Sequence, residues 1–140
     1  MGLDDPTQKM SKSVTGANHA VALLDDPKII IKKIARATTD SLPAVDPDHM
    51  GPGIANLVSI AQACDPTFTK ESAAGMRYGD FKKRVAEILI SRLEPIQERY
   101  RQVIADPSYV DSVLLEGRAR VLPIAEATVR RTKMAMGLYT

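Results

Sequence analysis

Two lysines three residues apart, Lys9 and Lys12, fall in the run Lys9-Met10-Ser11-Lys12-Ser13 near the start of the chain. Two ammonium groups at that spacing, with the hydroxyl residues Ser11 and Ser13 beside them, can close around one polyphosphate. Lysine suits the task because it is a compact point charge with three donors on a flexible stem, and the loop's own N–H groups add further donors. The chemistry this set fits best is nucleotidyl transfer. When a nucleophile attacks the α-phosphate of a nucleoside triphosphate, negative charge moves onto the departing pyrophosphate. Lysines that meet that charge better in the transition state than in the ground state accelerate the step. No Walker-type glycine loop competes for the phosphate role. Taken alone, the five residues also fit a lysine-bearing linker with no chemistry at all.

Little else in the chain offers chemistry by spacing. His19 and His49 are isolated and read as surface or loop residues; no Cys/His spacing resembles a zinc site, so no metal ligand is assigned. The single cysteine, Cys64, excludes an internal disulfide framework and lies on an apolar helix face, where it reads as a buried small hydrophobe. With 140 residues, 44% of them apolar and 26% charged, the composition is that of one ordered globular domain. A net charge of +2 is too small to predict nucleic-acid binding by a global field, so any RNA contact must come from local Lys and Arg clusters. No apolar run approaches the ~18 residues of a membrane span, and no secretory leader is visible, which makes a cytoplasmic location the default expectation.

The elements that must position the lysines read as follows. Residues 1–19 are polar and form a mobile loop, with a turn at Leu3-Asp4-Asp5-Pro6 leading into the lysines. Ala20-Val21-Ala22-Leu23-Leu24 is either one buried strand or the start of a helix, its length favouring a strand. Asp25-Asp26-Pro27 opens a helix over about 27–37, with Ile30, Ile31 and Ile34 on its apolar side and Lys28, Lys32, Lys33 and Arg36 as a solvated basic stripe. Three prolines, two glycines and three aspartates make 38–53 a loop. A helix follows over about 53–64, then a helical turn near 69–75. From Asp80, taken as an N-cap, Phe81, Val85, Ile88, Leu89, Leu93, Ile96, Tyr100 and Ile104 keep helical spacing, with Pro95 as an expected kink. A last helix starts after Asp106-Pro107 and is capped at Gly137. The predicted fold is mainly α: a helical bundle with a long antiparallel hairpin sharing one apolar face, preceded by the lysine loop and a short strand.

The chain resembles the bacterial tryptophanyl-tRNA synthetase family, and the likeness extends well past the lysines. Lys9 to Ser13 matches the KMSKS signature of class I aminoacyl-tRNA synthetases, and Gly2 to Gln8 looks like the family's approach to it. LLDDPKIIIKKI (23–34), TTDS (38–41), PGIANLVSI (52–60), YGDFK (78–82), LEPIQERY (93–100) and AMGL (135–138) look like further landmarks in the family's order. LEPIQERY and AMGL favour the tryptophan branch over the tyrosine branch.

The resemblance implies a ligase that activates tryptophan with ATP, accompanied by Mg2+, and charges tRNA(Trp), acting as a homodimer in the cytoplasm. It implies that Lys9 and Lys12 meet the ATP phosphates and leaving pyrophosphate, that Met10 lies against the adenine, that Ser11 adds a donor to phosphate, and that Ser13 completes the motif. It divides the chain into residues 1–25, the signature loop and end of a Rossmann catalytic domain, and residues 26–140, a helical domain for the tRNA anticodon. The family's HIGH signature and tryptophan pocket belong upstream of this loop. The chain is therefore expected to be the carboxyl-terminal portion of the enzyme, inactive alone. The alternative is a free-standing, catalytically inactive RNA-binding or interaction module derived from a synthetase.

Overall fold

The structure, a computed structural model, describes residues 1–11, 13 and 16–138. It is mainly helical: α1 (Pro27–Ala35), α2 (Pro52–Cys64), a 3-10 turn (Glu71–Ala73), α3 (Tyr78–Ile104) and α4 (Pro107–Ala135). The chain forms two compact units, Met1–Gln97 and Glu98–Thr140, the second beginning within α3.

The core of the first unit is built where helical spacing meets the longest aliphatic side chains. α1 starts at Pro27, whose fixed φ and missing N–H suit the first helical position, behind Asp26 in extended conformation. It buries Ile30 and Ile34, whereas Ile29 and Ile31 stay about half exposed, so its apolar side is narrower than the run of isoleucines suggests. α2 buries Ile54, Leu57, Val58 and Ala61, and α3 adds Phe81, Val85, Ala86, Ile88 and Leu89. These residues form one cluster with Leu3, Val45, Phe68 and Ala73. Cys64 is half-buried against the same cluster, and burial pushes its thiol pKa up. Gly53 is where α2 touches the chain after α1: a Cβ there would lie 2.0 Å from the Thr38 carbonyl oxygen. Side chains close the remaining joints. Lys82 Nζ donates to the Ala35 and Ala37 carbonyls at 3.1 and 2.8 Å, satisfying the carboxyl end of α1. The Tyr78 hydroxyl donates to Asp40, which also accepts from the Gly51 amide at 3.0 Å.

Two sequence expectations change. Among the described residues no strand forms; Ala20–Leu24 is irregular, and Leu23 and Leu24 are about half exposed. A strand needs a neighbour to pair its N–H and C=O groups, and the β-pairing among the described residues is an isolated bridge between Ala44 and Arg77. Asp80 is not the N-cap of α3, which begins two residues earlier at Tyr78; the carboxylate lies in the first turn, where the helix dipole favours it. Pro95 lies inside α3 and Pro123 inside α4. The two long helices form as expected. α4 buries no residue, and Leu114, Leu115, Val121, Ile124 and Met134 are all more than 60% exposed.

The second unit ends as the sequence indicates. Gly137 takes φ +70°, its N–H donates to the Met134 carbonyl at 3.1 Å, and the Leu138 N–H reaches the Lys133 carbonyl at 2.8 Å. This is a Schellman stop, which a glycine accepts without Cβ strain.

Candidate functional site

The lysine loop is delivered by a tight, self-bonded turn. Asp5-Pro6-Thr7-Gln8 closes with the Gln8 N–H donating to the Asp5 carbonyl at 3.2 Å, with proline at the second position, where its φ is preset. The Asp5 carboxylate accepts from the Thr7 N–H at 2.9 Å, the Thr7 hydroxyl at 2.6 Å and Gln8 Nε2 at 2.8 Å. Those bonds, led by the Thr7 hydroxyl, hold its pKa below the usual carboxylate value. The Gly2 N–H then donates to the Gln8 carbonyl at 2.8 Å, so the chain doubles back one residue before Lys9.

This turn is tied to the core through Leu3. Leu3 is buried, its N–H donates to the His19 carbonyl at 2.9 Å, and its carbonyl accepts from the Thr38 N–H at 2.7 Å. The Thr38 hydroxyl donates to the Asp4 carbonyl at 2.6 Å. Asn56 of α2 donates to the Gly2 carbonyl at 3.0 Å. The loop therefore rises from α1 and α2 on a hydrogen-bonded base.

Of the five motif residues, Lys9 is exposed, Met10 and Ser11 are half-buried, and Ser13 is exposed; Lys12 lies outside the described residues. The Ser13 N–H donates to the Ser11 hydroxyl at 3.2 Å, a local turn that brings the two hydroxyl residues together. Met10 packs against the core cluster and lines an apolar cavity of about 310 Å³ with Leu3, Val21, Ile34, Leu89 and Leu93. On the other side Met10 and Ser11 border a second cavity, of about 380 Å³, with Gly16, Ala20, Val21 and Lys33. The motif thus presents a cationic, exposed start and a half-buried middle beside open space, a layout able to receive the phosphates and base of a nucleotide.

Two residues at this site escaped the sequence reading. His19 is not a surface residue; it is 2% exposed, with Nδ1 2.7 Å from Asp4 Oδ1 and Nε2 3.1 Å from the Lys9 carbonyl oxygen. The bonds to Lys9 and Asp4 raise its pKa above the ordinary histidine value. No local pattern betrays this, because Asp4 lies fifteen residues away in sequence. Lys33 does not belong to the solvated stripe of α1. It is half-buried and donates to Asp25 Oδ2 at 2.6 Å and to the Ala20 carbonyl at 2.9 Å, while the same carboxylate accepts from the Ala22 N–H at 2.8 Å. Asp25 is thereby a clamp on residues 20–25, and Lys28 and Lys32 of α1, with Arg36 at its C-cap, remain exposed. Among the described residues, no cluster of three His, Cys, Asp or Glu side chains is placed to hold a metal ion, and no helix is long and apolar enough to cross a membrane.

Known proteins resemble this chain along nearly its whole length. The family model for class I tRNA synthetases (W and Y) matches residues 1–94. A tryptophan–tRNA ligase of Helicobacter pylori is 46% identical over 99% of this chain, and one of Wolinella succinogenes is 43% identical over the same share. In both cases the chain covers 43% of the relative's length. A crystal structure of tryptophanyl-tRNA synthetase from Mycoplasma pneumoniae superposes with a TM-score of 0.79 at 27% identity, over 99% of this chain and 43% of that one. The relatives named here are ligases, which does not favour a free-standing interaction module. The family-model match over residues 1–94, with these identities, places the chain in the class I tRNA synthetase family of the W and Y type.

Proposed function

We propose that this chain is the portion of a tryptophan–tRNA ligase that supplies the phosphate-binding lysine loop and the helical tRNA domain. The observation that carries the reading is the match of 99% of the chain to tryptophan–tRNA ligases, with Lys9-Met10-Ser11 presented on an anchored loop beside open cavities. On this reading the functional division falls at residues 1–25 and 26–140, although residues 1–97 pack as one compact unit. The complete protein acts in the cytoplasm as a homodimer, with ATP, tryptophan and tRNA(Trp) as its substrates. Mg2+ comes bound to the ATP phosphate oxygens.

The proposed chemistry follows from what the loop offers. The tryptophan carboxylate attacks the α-phosphate, the bond from that phosphorus to the bridging oxygen breaks, and pyrophosphate leaves with the electron pair. Lys9 and Lys12 neutralise charge on the departing group as it builds, which lowers the barrier, and not merely the ground state. Ser11 and Ser13 add hydroxyl and amide donors, and Met10 lays its thioether against the adenine. The ribose hydroxyl at the end of the tRNA then displaces AMP from the tryptophanyl carbonyl. The exposed Lys28 and Lys32 of α1 and Arg36 at its C-cap, with the exposed Arg118, Arg130 and Arg131 of α4, are suited to RNA backbone phosphates, which position without reading sequence. The test is filter binding of tRNA(Trp) to the complete protein with Lys28, Lys32 and Arg36 replaced by glutamine. Weaker binding with a shallower salt dependence is expected. Unchanged affinity at low salt refutes the RNA-facing role of α1.

A further inference from the structure

The imidazole of His19 has two partners that can only accept. The Lys9 carbonyl, 3.1 Å from Nε2, has no proton to give, and the Asp4 carboxylate, 2.7 Å from Nδ1, has none when ionised. Both ring nitrogens therefore donate, which requires the doubly protonated ring. The ring also sits in a fitted seat. A Cβ on Gly2 would fall 2.3 Å from its Cε1, and one on Gly16 would fall 3.4 Å from its Cβ and 3.1 Å from Asp4 Oδ2. The His19 carbonyl meanwhile holds the buried Leu3 N–H. Among the described residues the charged groups acting on the ring are Asp4 and Asp5, both from the turn before the lysines.

We infer that His19 is a positioning residue for the lysine loop: as an imidazolium bridging the Asp4 carboxylate and the Lys9 main-chain carbonyl, it fixes the point at which Lys9 leaves the core. The consequence for activity rests on the proposed reading of Lys9 as a phosphate ligand; the structural bridge does not. A side chain can reach a developing charge at the right distance only if its own backbone is held, and small misplacements at such sites lower rates steeply. Because the bridge raises the affinity of the ring for its second proton, it persists, while Asp4 is ionised, through the ordinary titration range of histidine. It is lost as pH rises through the higher value of the folded protein.

The test uses the complete protein that carries this segment, with His19→Ala, His19→Gln and Asp4→Asn. Amide hydrogen exchange of the peptide spanning residues 8–11, corrected for the intrinsic pH dependence, reports the bridge directly. ATP-dependent pyrophosphate exchange, resolved into kcat and KM for ATP, reports its consequence. The expected results are about tenfold faster amide exchange in His19→Ala, and a loss of about tenfold in kcat/KM for ATP with tryptophan affinity unchanged. His19→Gln should recover part of both, since its amide can donate to the Lys9 carbonyl. The wild type should approach His19→Ala as pH rises. Should His19→Ala fail to fold, Asp4→Asn carries the same comparison. Amide exchange that is identical in all variants at every pH overturns the bridge. Faster exchange with unaltered kinetics overturns the positioning role. A wild type without pyrophosphate exchange sinks the proposed function, and the amide data then decide the bridge alone.

Discussion

Gly53 and Gly79 are each the second residue of a helix in the same compact unit, so one substitution at both sites separates contact from propensity. Alanine is the better helix former by roughly 0.5–1 kcal/mol, and on that ground alone both changes stabilise. At Gly79 nothing lies within 4 Å of the new Cβ, so the gain should be realised. At Gly53 the Cβ would sit 2.0 Å from the Thr38 carbonyl oxygen and 2.8 Å from its carbon. Since real Cβ contacts essentially never fall below 3.0 Å, α2 or residues 38–39 must move by the difference, 3.0 − 2.0 = 1.0 Å. The obstacle is backbone and cannot rotate away, and the moving segment carries the bond between the Thr38 N–H and the Leu3 carbonyl. Overpacking costs about 1–3 kcal/mol and a weakened hydrogen bond about 1 kcal/mol more, which outweighs propensity and leaves a net loss of roughly 1–3 kcal/mol. For a unit of this size that is a fall in Tm of roughly 4–15 °C, against a rise of a few degrees for Gly79→Ala. Thermal unfolding followed by circular dichroism measures both. A Gly53→Ala protein as stable as wild type would refute the close approach of α2 to Thr38.

Further outcomes follow from the same contacts. Phe81 is fully buried at the centre of the core, so Phe81→Ala should lose about 3–5 kcal/mol in urea unfolding, and a loss under about 1 kcal/mol would contradict its placement. Tyr78→Phe should lose about 1 kcal/mol near neutral pH by removing the bond to Asp40. Its pH dependence has a definite sign. Hydrogen bonding by Tyr78 lowers the Asp40 pKa, so that contribution is present above 3.8 and lost as pH falls through the lower folded value. Desolvation, then Asp40, pushes the Tyr78 phenol up to about 12, so its contribution is present below 10.0 and lost as pH rises through about 12. The stability gap between wild type and Tyr78→Phe should thus be flat at intermediate pH and close at both ends; a gap independent of pH would refute the pairing.

The helices were legible because their signals are local. Pro27 at a helix start, the Ile54–Leu57–Val58–Ala61 spacing and Gly137 at a stop each express a preference of a few neighbouring residues. The Lys9–Ser13 pattern is local in the same sense, and its phosphate role belongs to the proposed function. What the sequence concealed was set by distant partners. His19 is polar by type and buried by Asp4 and Gly2, and Lys33 fits a basic stripe by spacing yet turns to Asp25. The strand expected at Ala20–Leu24 failed because apolar character supplies no pairing edge, and those residues are held instead by Asp25, Lys33 and the Gln97 amide on the Leu23 carbonyl at 2.9 Å. The apolar stripe of α4 keeps helical spacing but finds no burial, since periodicity fixes which side chains share a face and not what covers it.

The central claim is that the lysine loop acts on the leaving pyrophosphate. It is tested most directly by tryptophan-dependent pyrophosphate exchange in the complete protein with Lys9→Ala and Lys12→Ala, alongside tryptophan binding measured without ATP. The exchange rate should fall about a hundredfold or more in each variant, with tryptophan affinity essentially unchanged. An exchange rate equal to that of the wild type in both variants would contradict that claim.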